Sequence, residues 1–165
     1  MLGVMVLTLS TAAAAAQGLE SHINATAFAG AAMTPDPQVA IGVAVGVRPR
    51  PTAVSLEFEY SRSGSDPAEG VPAIVTFSVN FLLQFPVQPS RYQFYGTFGV
   101  GVYGLLRDST SSEPDGVRNF GGGAKITVAG PFKLRVDYRA FRLAPIPREY
   151  HSNEHRLYVG VVGGF

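Results

Sequence analysis

Residues 74–85 read Ile-Val-Thr-Phe-Ser-Val-Asn-Phe-Leu-Leu-Gln-Phe, and from Val75 onward a large apolar side chain occupies every second position. A period of two places successive side chains on opposite faces of an extended chain. Most of the intervening positions are polar, the exception being Leu82. The stretch therefore predicts a β-strand with one apolar face and one largely polar face.

The same alternation recurs along the chain from residue 23 onward, whereas the 3.6-residue period of an amphipathic helix is absent. In residues 132–140, for example, Phe, Leu, Val and Tyr alternate with Lys, Arg, Asp and Arg. The fold class expected from this pattern is all-β. We predict eight strands, at residues 23–32, 38–48, 53–62, 74–85, 91–105, 118–129, 132–140 and 156–165.

Length and composition agree with a single domain built from short strands. The chain has 165 residues, 46% of them hydrophobic, which is enough for one substantial apolar surface and too little for two domains. It combines 19 glycines and 12 prolines with 11 phenylalanines and 7 tyrosines. Turn-forming residues beside many aromatics are typical of sandwiches and barrels.

Several classes of function are disfavoured by the residue types present. The net charge is +1 and no run of Lys or Arg occurs, so we expect no nucleic-acid partner. Cysteine is absent, which rules out disulfides and thiolate-bound metals. His22, His151 and His155 are too few to predict a zinc cluster. We therefore expect neither a metal nor another cofactor.

The first sixteen residues resemble an export signal. They are uncharged and mostly apolar, and Ala14-Ala15-Ala16 before Gln17 fits the small-x-small pattern that a signal peptidase cuts. The usual basic residues are missing, since the first Lys or Arg is Arg48. The apolar run is shorter than the ~20 residues that a membrane-spanning helix requires. We predict a signal peptide at residues 1–16 and a barrel domain at residues 17–165.

The predicted connections fall into two kinds. They lie near residues 33–37, 49–51, 63–73, 86–90, 106–117, 130–131 and 144–153. After the first, short turns alternate with longer polar loops. This arrangement is typical of an up-and-down antiparallel barrel that spans the outer membrane. In such a barrel of eight strands, both chain termini and the short turns lie on one side, and the long loops lie on the other.

The two faces of the strands predict which side contacts lipid. A narrow eight-stranded barrel needs small inward residues to make room for a few long ones. The polar face supplies both kinds. Its small residues include Ala40, Gly42, Ala44, Gly46, Gly99, Gly101, Gly160 and Gly164, and its charges are Glu57, Glu59, Lys125, Lys133, Arg135, Asp137, Arg139 and Arg156. These charges can pair inside a closed lumen. A soluble lipocalin-like barrel, with the apolar face inside, remains the alternative.

Aromatic residues lie near both ends of the predicted strands, as expected at two membrane interfaces. Phe85, Tyr92, Phe94, Phe132 and Phe165 lie on the side of the short turns, and Phe58, Tyr60, Phe120 and Tyr138 lie on the side of the long loops. We expect these two groups to form the aromatic girdles of a membrane barrel.

The sequence resembles the small outer-membrane barrels of the OmpA and OmpX type, and more closely the family called outer membrane protein β-barrel domain. Four segments carry the resemblance within residues 23–165: Tyr92-x-Phe94 with Gly99-Val-Gly-Val102, Asn119-Phe-Gly-Gly-Gly-Ala-Lys125, Leu134-Arg-Val-Asp-Tyr-Arg139, and His155-Arg-Leu-Tyr-Val-Gly-Val-Val-Gly-Gly-Phe165. The resemblance implies a cell outer membrane location, contact with a bilayer containing lipopolysaccharide, and a monomeric barrel.

The resemblance also implies a signal for the barrel-assembly machinery in the last strand. A terminal Phe on an alternating strand is similar to that signal, which would consist here of Phe165, Val161, Val159 and Leu157. Gly163 departs from the pattern, because a bulky apolar residue is usual at its position.

Three functions are compatible with such a barrel, and we favour a structural or surface-interaction role carried by loops 63–73, 106–117 and 144–153. A small channel is the second, although the lumen charges should leave no continuous water path. The third is a lipid A-modifying enzyme, because Tyr150-His151-Ser152-Asn153 with Glu149 and Glu154 offers a nucleophile, a base and a carboxylate. Adjacent His151 and Ser152 would point opposite ways on a strand, so we expect no catalytic site.

Overall fold

The computed structural model describes residues 23–33, 37–49, 52–64, 73–87, 90–107, 110–111, 113–144 and 153–164, with the side chains of 107–112 excluded. The described residues form strands and connections. The strands are β1 (Ile23–Met33), β2 (Gln38–Val47), β3 (Val54–Ser63), β4 (Ala73–Phe85), β5 (Tyr92–Arg107), β6 (Thr110–Ser111), β7 (Asp115–Ala129), β8 (Phe132–Leu143) and β9 (Asn153–Gly164). No helix in this part of the chain has the length and apolarity needed to cross a membrane.

Eight of these strands close into an antiparallel up-and-down barrel. The order around the barrel is β4, β3, β2, β1, β9, β8, β7, β5, and pairing between β4 and β5 completes the circle. The first and last strands are neighbours, with Asn24 opposite Gly164 and Met33 opposite His155. Closure satisfies the backbone groups that an open sheet edge would expose to lipid. The predicted eight-stranded barrel is therefore confirmed.

The strands extend further toward the long loops than the side-chain pattern predicted. β7 begins at Asp115, β8 continues to Leu143 and β9 begins at Asn153. The short strand β6 pairs with the end of β5. Backbone pairing needs no apolar alternation, so a hairpin can continue into polar sequence where alternation has ended. The interval predicted as loop 106–117 thus contains three strand segments, the end of β5, the whole of β6 and the start of β7.

The apolar face points outward along the described strands. Outward side chains from all eight barrel strands are exposed, among them Val39, Val43, Phe58, Phe81, Phe98 and Val159. The girdle aromatics within the described residues also face outward, and Phe165 lies outside those residues. Because a lipocalin-like barrel would enclose this face, the arrangement excludes that alternative.

Two local features stabilise the short-turn side of the barrel. Gly130 has a φ of 52°, a left-handed conformation that favours glycine, in the tight turn between β7 and β8. Arg48 joins two separate turns, because its Nε donates to the carbonyl of Thr52 at 2.9 Å and its Nη2 donates to the carbonyl of Val87. The turn side is therefore held together beyond the strand pairing.

Candidate functional site

The charged side chains of the inward face meet in the barrel interior. Alternation turns Glu57 and Glu59 of β3 inward, and it does the same for Arg135, Asp137 and Arg139 of β8. In the strand order, β3 and β8 are separated by β2, β1 and β9 on one side and by β4, β5 and β7 on the other. They therefore lie opposite each other, and contacts between them cross the whole lumen.

The central network is built around Glu57. Arg135 donates to both of its carboxylate oxygens, at 2.5 Å and 3.1 Å, and Arg139 adds a bond of 2.9 Å. Asp137 Oδ2 accepts from Arg135 at 2.6 Å and from Arg139 at 3.0 Å. Arg139 also forms a salt bridge of 2.5 Å with Glu59. All five side chains are almost fully buried, so each charge depends on these partners in place of water.

Neutral side chains extend the network to β4, β5 and β7. Asn80 donates to Glu59 at 3.4 Å and accepts from Asn119 at 2.8 Å. Arg135 Nε donates to the hydroxyl of Tyr95 at 2.7 Å. Lys125 is buried nearby, with its Nζ 5.4 Å from the centre of the Tyr95 ring. The network thus involves five of the eight barrel strands, β3, β4, β5, β7 and β8.

A second layer surrounds Arg156, nearer to the long loops. This guanidinium of β9 donates to Ser61 Oγ at 2.9 Å and Thr76 Oγ1 at 3.3 Å. It also forms a 2.8 Å salt bridge with Glu154 and lies 4.2 Å from the centre of the Phe141 ring. Since β9 and β4 are opposite in the strand order, this layer also crosses the lumen.

An apolar cluster fills the interior beyond Arg156. Tyr103, Val117, Phe141 and Leu143 are buried together, and partly buried apolar residues of β4 and β5 pack against them. The Tyr103 hydroxyl donates to the carbonyl of Ala144 at 3.4 Å. The loop-side end of the lumen is therefore filled by side chains, a cluster that strand alternation did not predict.

The predicted lumen charges occupy different positions in the interior. Glu57, Glu59, Arg135, Asp137 and Arg139 form the central network, with Lys125 beside it and Arg156 in the second layer. Lys133 is half-buried near the short turns. Among the residues that the structure describes, it forms no salt bridge. The predicted cluster is thus divided between two layers and one separate lysine.

The other predicted residues lie on the outer face, outside the described ranges or, in the case of Glu154, in the lumen. Leu157, Val159 and Val161 line the outer face of β9, while Phe165 and the predicted signal peptide at 1–16 lie outside the described residues. Tyr150, His151 and Ser152 are also outside them, and so is Glu149. Glu154 faces inward and is bound by Arg156. The described residues include no cluster of His, Asp or Glu suited to a metal ion.

Comparisons with solved structures agree with this barrel. Neisserial surface protein A has a TM-score of 0.68 at 13% identity, covering 87% of this chain and 96% of that protein. The N-terminal barrel domain of Pseudomonas aeruginosa OprF gives 0.65 at 13% identity, covering 88% and 99%. The outer-membrane enzyme PagL gives 0.55 at 12% identity, covering 86% and 99%. At such identities, the similarity shows a shared fold.

Sequence comparison gives a family. No curated protein matches the sequence. Residues 2–165 match the family described as outer membrane protein beta-barrel domain. This match spans nearly the whole chain and agrees with the closed barrel and its outward apolar face. The chain belongs to the outer membrane protein beta-barrel domain family and is a protein of the cell outer membrane.

Proposed function

We propose that this protein is a closed structural or surface-interaction barrel, which holds the loops at 63–73, 106–117 and 144–153 outside the cell. The observation that carries this proposal is the filled interior. Buried arginines bridge opposite strands at two levels, and an apolar cluster lies beyond them. A scaffold of this kind offers its loops for contact with partners and leaves its lumen unused.

The interior argues against a static channel, which is the second function considered. A channel needs a continuous water path, and the path here would have to pass both the Arg135–Glu57 and the Arg156–Thr76 contacts. We expect the refolded protein to insert into planar bilayers without stable conductance steps. Regular single-channel steps from the unmodified chain would refute the closed scaffold and favour the channel.

The orientation of the barrel in the outer membrane can be tested with single cysteine substitutions, because the chain contains no cysteine of its own. Ser65→Cys introduces a thiol within the predicted loop 63–73, and Ala129→Cys introduces one beside a short turn. In intact cells, a membrane-impermeant maleimide should label the protein carrying Ser65→Cys and leave the one carrying Ala129→Cys unlabelled. Labelling of the second variant alone would show that the short turns face outward.

We also infer that the barrel has no catalytic role. The fold is shared with the outer-membrane enzyme PagL, but the one described carboxylate beside the candidate segment, Glu154, is directed inward and paired with Arg156. His155 Nδ1 lies 2.8 Å from the Tyr138 hydroxyl, on the outer face. The protein should therefore release no acyl chain from lipid A. Release that is abolished by Ser152→Ala would establish an enzyme.

Assembly and oligomeric state complete the proposal. We propose that Leu157, Val159, Val161 and Phe165 present the signal read by the barrel-assembly machinery, and that the barrel is a monomer. Deleting Phe165 should reduce the amount of folded protein in the outer membrane, with Val162→Ala as a control because Val162 faces inward. Light scattering of the detergent-solubilised protein should give the mass of one chain.

A further inference from the structure

Two arginines face each other on the outer surface of the barrel. Arg118 of β7 and Arg142 of β8 are cross-strand partners, and both side chains are exposed. Directly opposed residues have their Cβ atoms about 4.5–5.5 Å apart, and like charges in such positions destabilise the pairing. Arginine remains protonated in proteins, so deprotonation cannot relieve the repulsion. An anion bound between the two side chains would remove this repulsion.

The protein supplies no such anion within its described residues. The salt bridges found there are those of the interior, and neither Arg118 nor Arg142 takes part in them. Arg118 and Arg142 instead line a surface cleft at the loop-side ends of β5, β7 and β8. At Gly116, which also lines this cleft, an added Cβ would meet nothing within 4 Å. The cleft therefore has space for a ligand beside two cations that form no salt bridge with the described residues.

The neighbouring side chains locate this cleft relative to the bilayer. Phe120 occupies the next outward-facing position of β7 after Arg118, further from the long loops. It lies opposite Phe98 of β5, and both rings are about half exposed. Tyr138 and His155 lie on the same outer face, hydrogen-bonded to each other. Aromatic rings at this depth mark the boundary between the hydrocarbon core and the headgroups. The arginine pair thus lies at the level of lipid headgroups.

We propose that Arg118 and Arg142 together bind a phosphate group of an outer-leaflet lipid of the lipid A class. A phosphate can accept paired hydrogen bonds from guanidinium groups, and its charge would compensate both cations. The acyl chains would then lie over Phe98 and Phe120. The inference rests on the proposed orientation, which places the loop-side end in the outer leaflet, but binding to the isolated barrel does not depend on that orientation.

The test uses the full chain refolded in neutral detergent micelles and titrated with lipid A. Its readout is affinity, with dephosphorylated lipid A and inorganic phosphate as additional probes. We expect Arg118→Gln/Arg142→Gln to bind lipid A at least about tenfold more weakly than the unmodified chain. Arg62→Gln is the matched control, because Arg62 is also an exposed outward arginine near the loops, but it lies opposite Ile41 and Val75.

Each outcome decides the proposal. Equal lipid A affinity for the double variant and the unmodified chain would overturn it, and so would an equal loss in Arg62→Gln, which would indicate general surface charge. Inorganic phosphate binding as tightly as lipid A would show a site for a free anion. Gly116→Leu, which fills the cleft without changing charge, should also weaken binding. If the double variant fails to fold, Arg142→Gln alone should still measurably lower the affinity for lipid A.

Discussion

Replacement of Glu57 by glutamine should strongly destabilise the barrel although it hardly changes side-chain volume. The Glu57 carboxylate accepts three hydrogen bonds, two from Arg135 and one from Arg139. The central network contains Glu57, Glu59 and Asp137 against two arginines, with Lys125 nearby. Three carboxylates thus face three cations, and the substitution leaves one positive charge without a counterpart.

The expected loss follows from these contacts. A hydrogen bond to a charged group contributes about 1.5–3 kcal/mol, and the glutamine oxygen can still accept at most two of the three bonds, those now made to Oε1. Losing the carboxylate from a buried ion pair costs about 3–5 kcal/mol, because the remaining charge has no water to replace its partner. We therefore expect the free energy of unfolding to fall by about 3–5 kcal/mol, or roughly two to four powers of ten in the folding equilibrium constant.

The assay is reversible urea unfolding in phospholipid vesicles, followed by circular dichroism and by the gel shift between folded and boiled samples. Glu113→Gln, at an exposed position, is the control and should change stability by less than about 0.5 kcal/mol. A combined Glu57→Gln/Arg139→Gln variant should lose less than the sum of its two single changes. If Glu57→Gln matches the control, the network does not stabilise the fold and the reasoning is wrong.

Three further predictions concern the lipid face, the strand pairing and the turns. Val43→Arg, in the middle of β2 on the outer face, should cost about 2–4 kcal/mol in bilayers, whereas Val47→Arg near the short turns should cost about 0–1 kcal/mol. Gly101→Val should prevent formation of a heat-modifiable barrel, because a Cβ there would lie 2.0 Å from the carbonyl oxygen of Phe77. Arg48→Ala should lower the free energy of unfolding by about 1–2 kcal/mol through loss of its bonds to two turn carbonyls.

Specific results would contradict each of these. If Val43→Arg and Val47→Arg lowered the free energy of unfolding equally, the outer face would not cross a hydrocarbon core. Gly116→Val is the control for Gly101→Val, since an added Cβ there meets nothing, and failure of both to fold would remove the steric explanation. Unchanged urea unfolding of Arg48→Ala would show that the turns are held by strand pairing alone.

The sequence predicted the barrel because lipid contact imposes a strict rule on side chains. Every second residue of a spanning strand must be apolar, so Val39, Ile41 and Val43 mark one face independently of their neighbours. The same rule assigns Glu57 and Arg135 to the interior. These assignments depend only on local alternation, which a single sequence contains.

The contacts inside the lumen could not be predicted in this way. Arg135 and Glu57 are 78 residues apart, and whether they meet depends on the stagger of eight strands, which alternation does not determine. Phe28 shows a second limit. The Phe28 ring packs inward, with its centre 4.5 Å from that of the Tyr158 ring, where Gly42 leaves space for it. Alternation did not predict this, because both faces of the alanine-rich strand β1 carry small residues.

The pairing of β1 with β9 has a consequence for how the chain folds. These two strands are the furthest apart in sequence, yet Ala27 must find Val161 before the circle can close. Until then, the free sides of both strands can recruit any other extended segment. Contacts between such distant residues form slowly, because a long stretch of chain must first lose its freedom. A chain interrupted before β9 would therefore keep two reactive edges, which makes truncated forms candidates for aggregation and degradation.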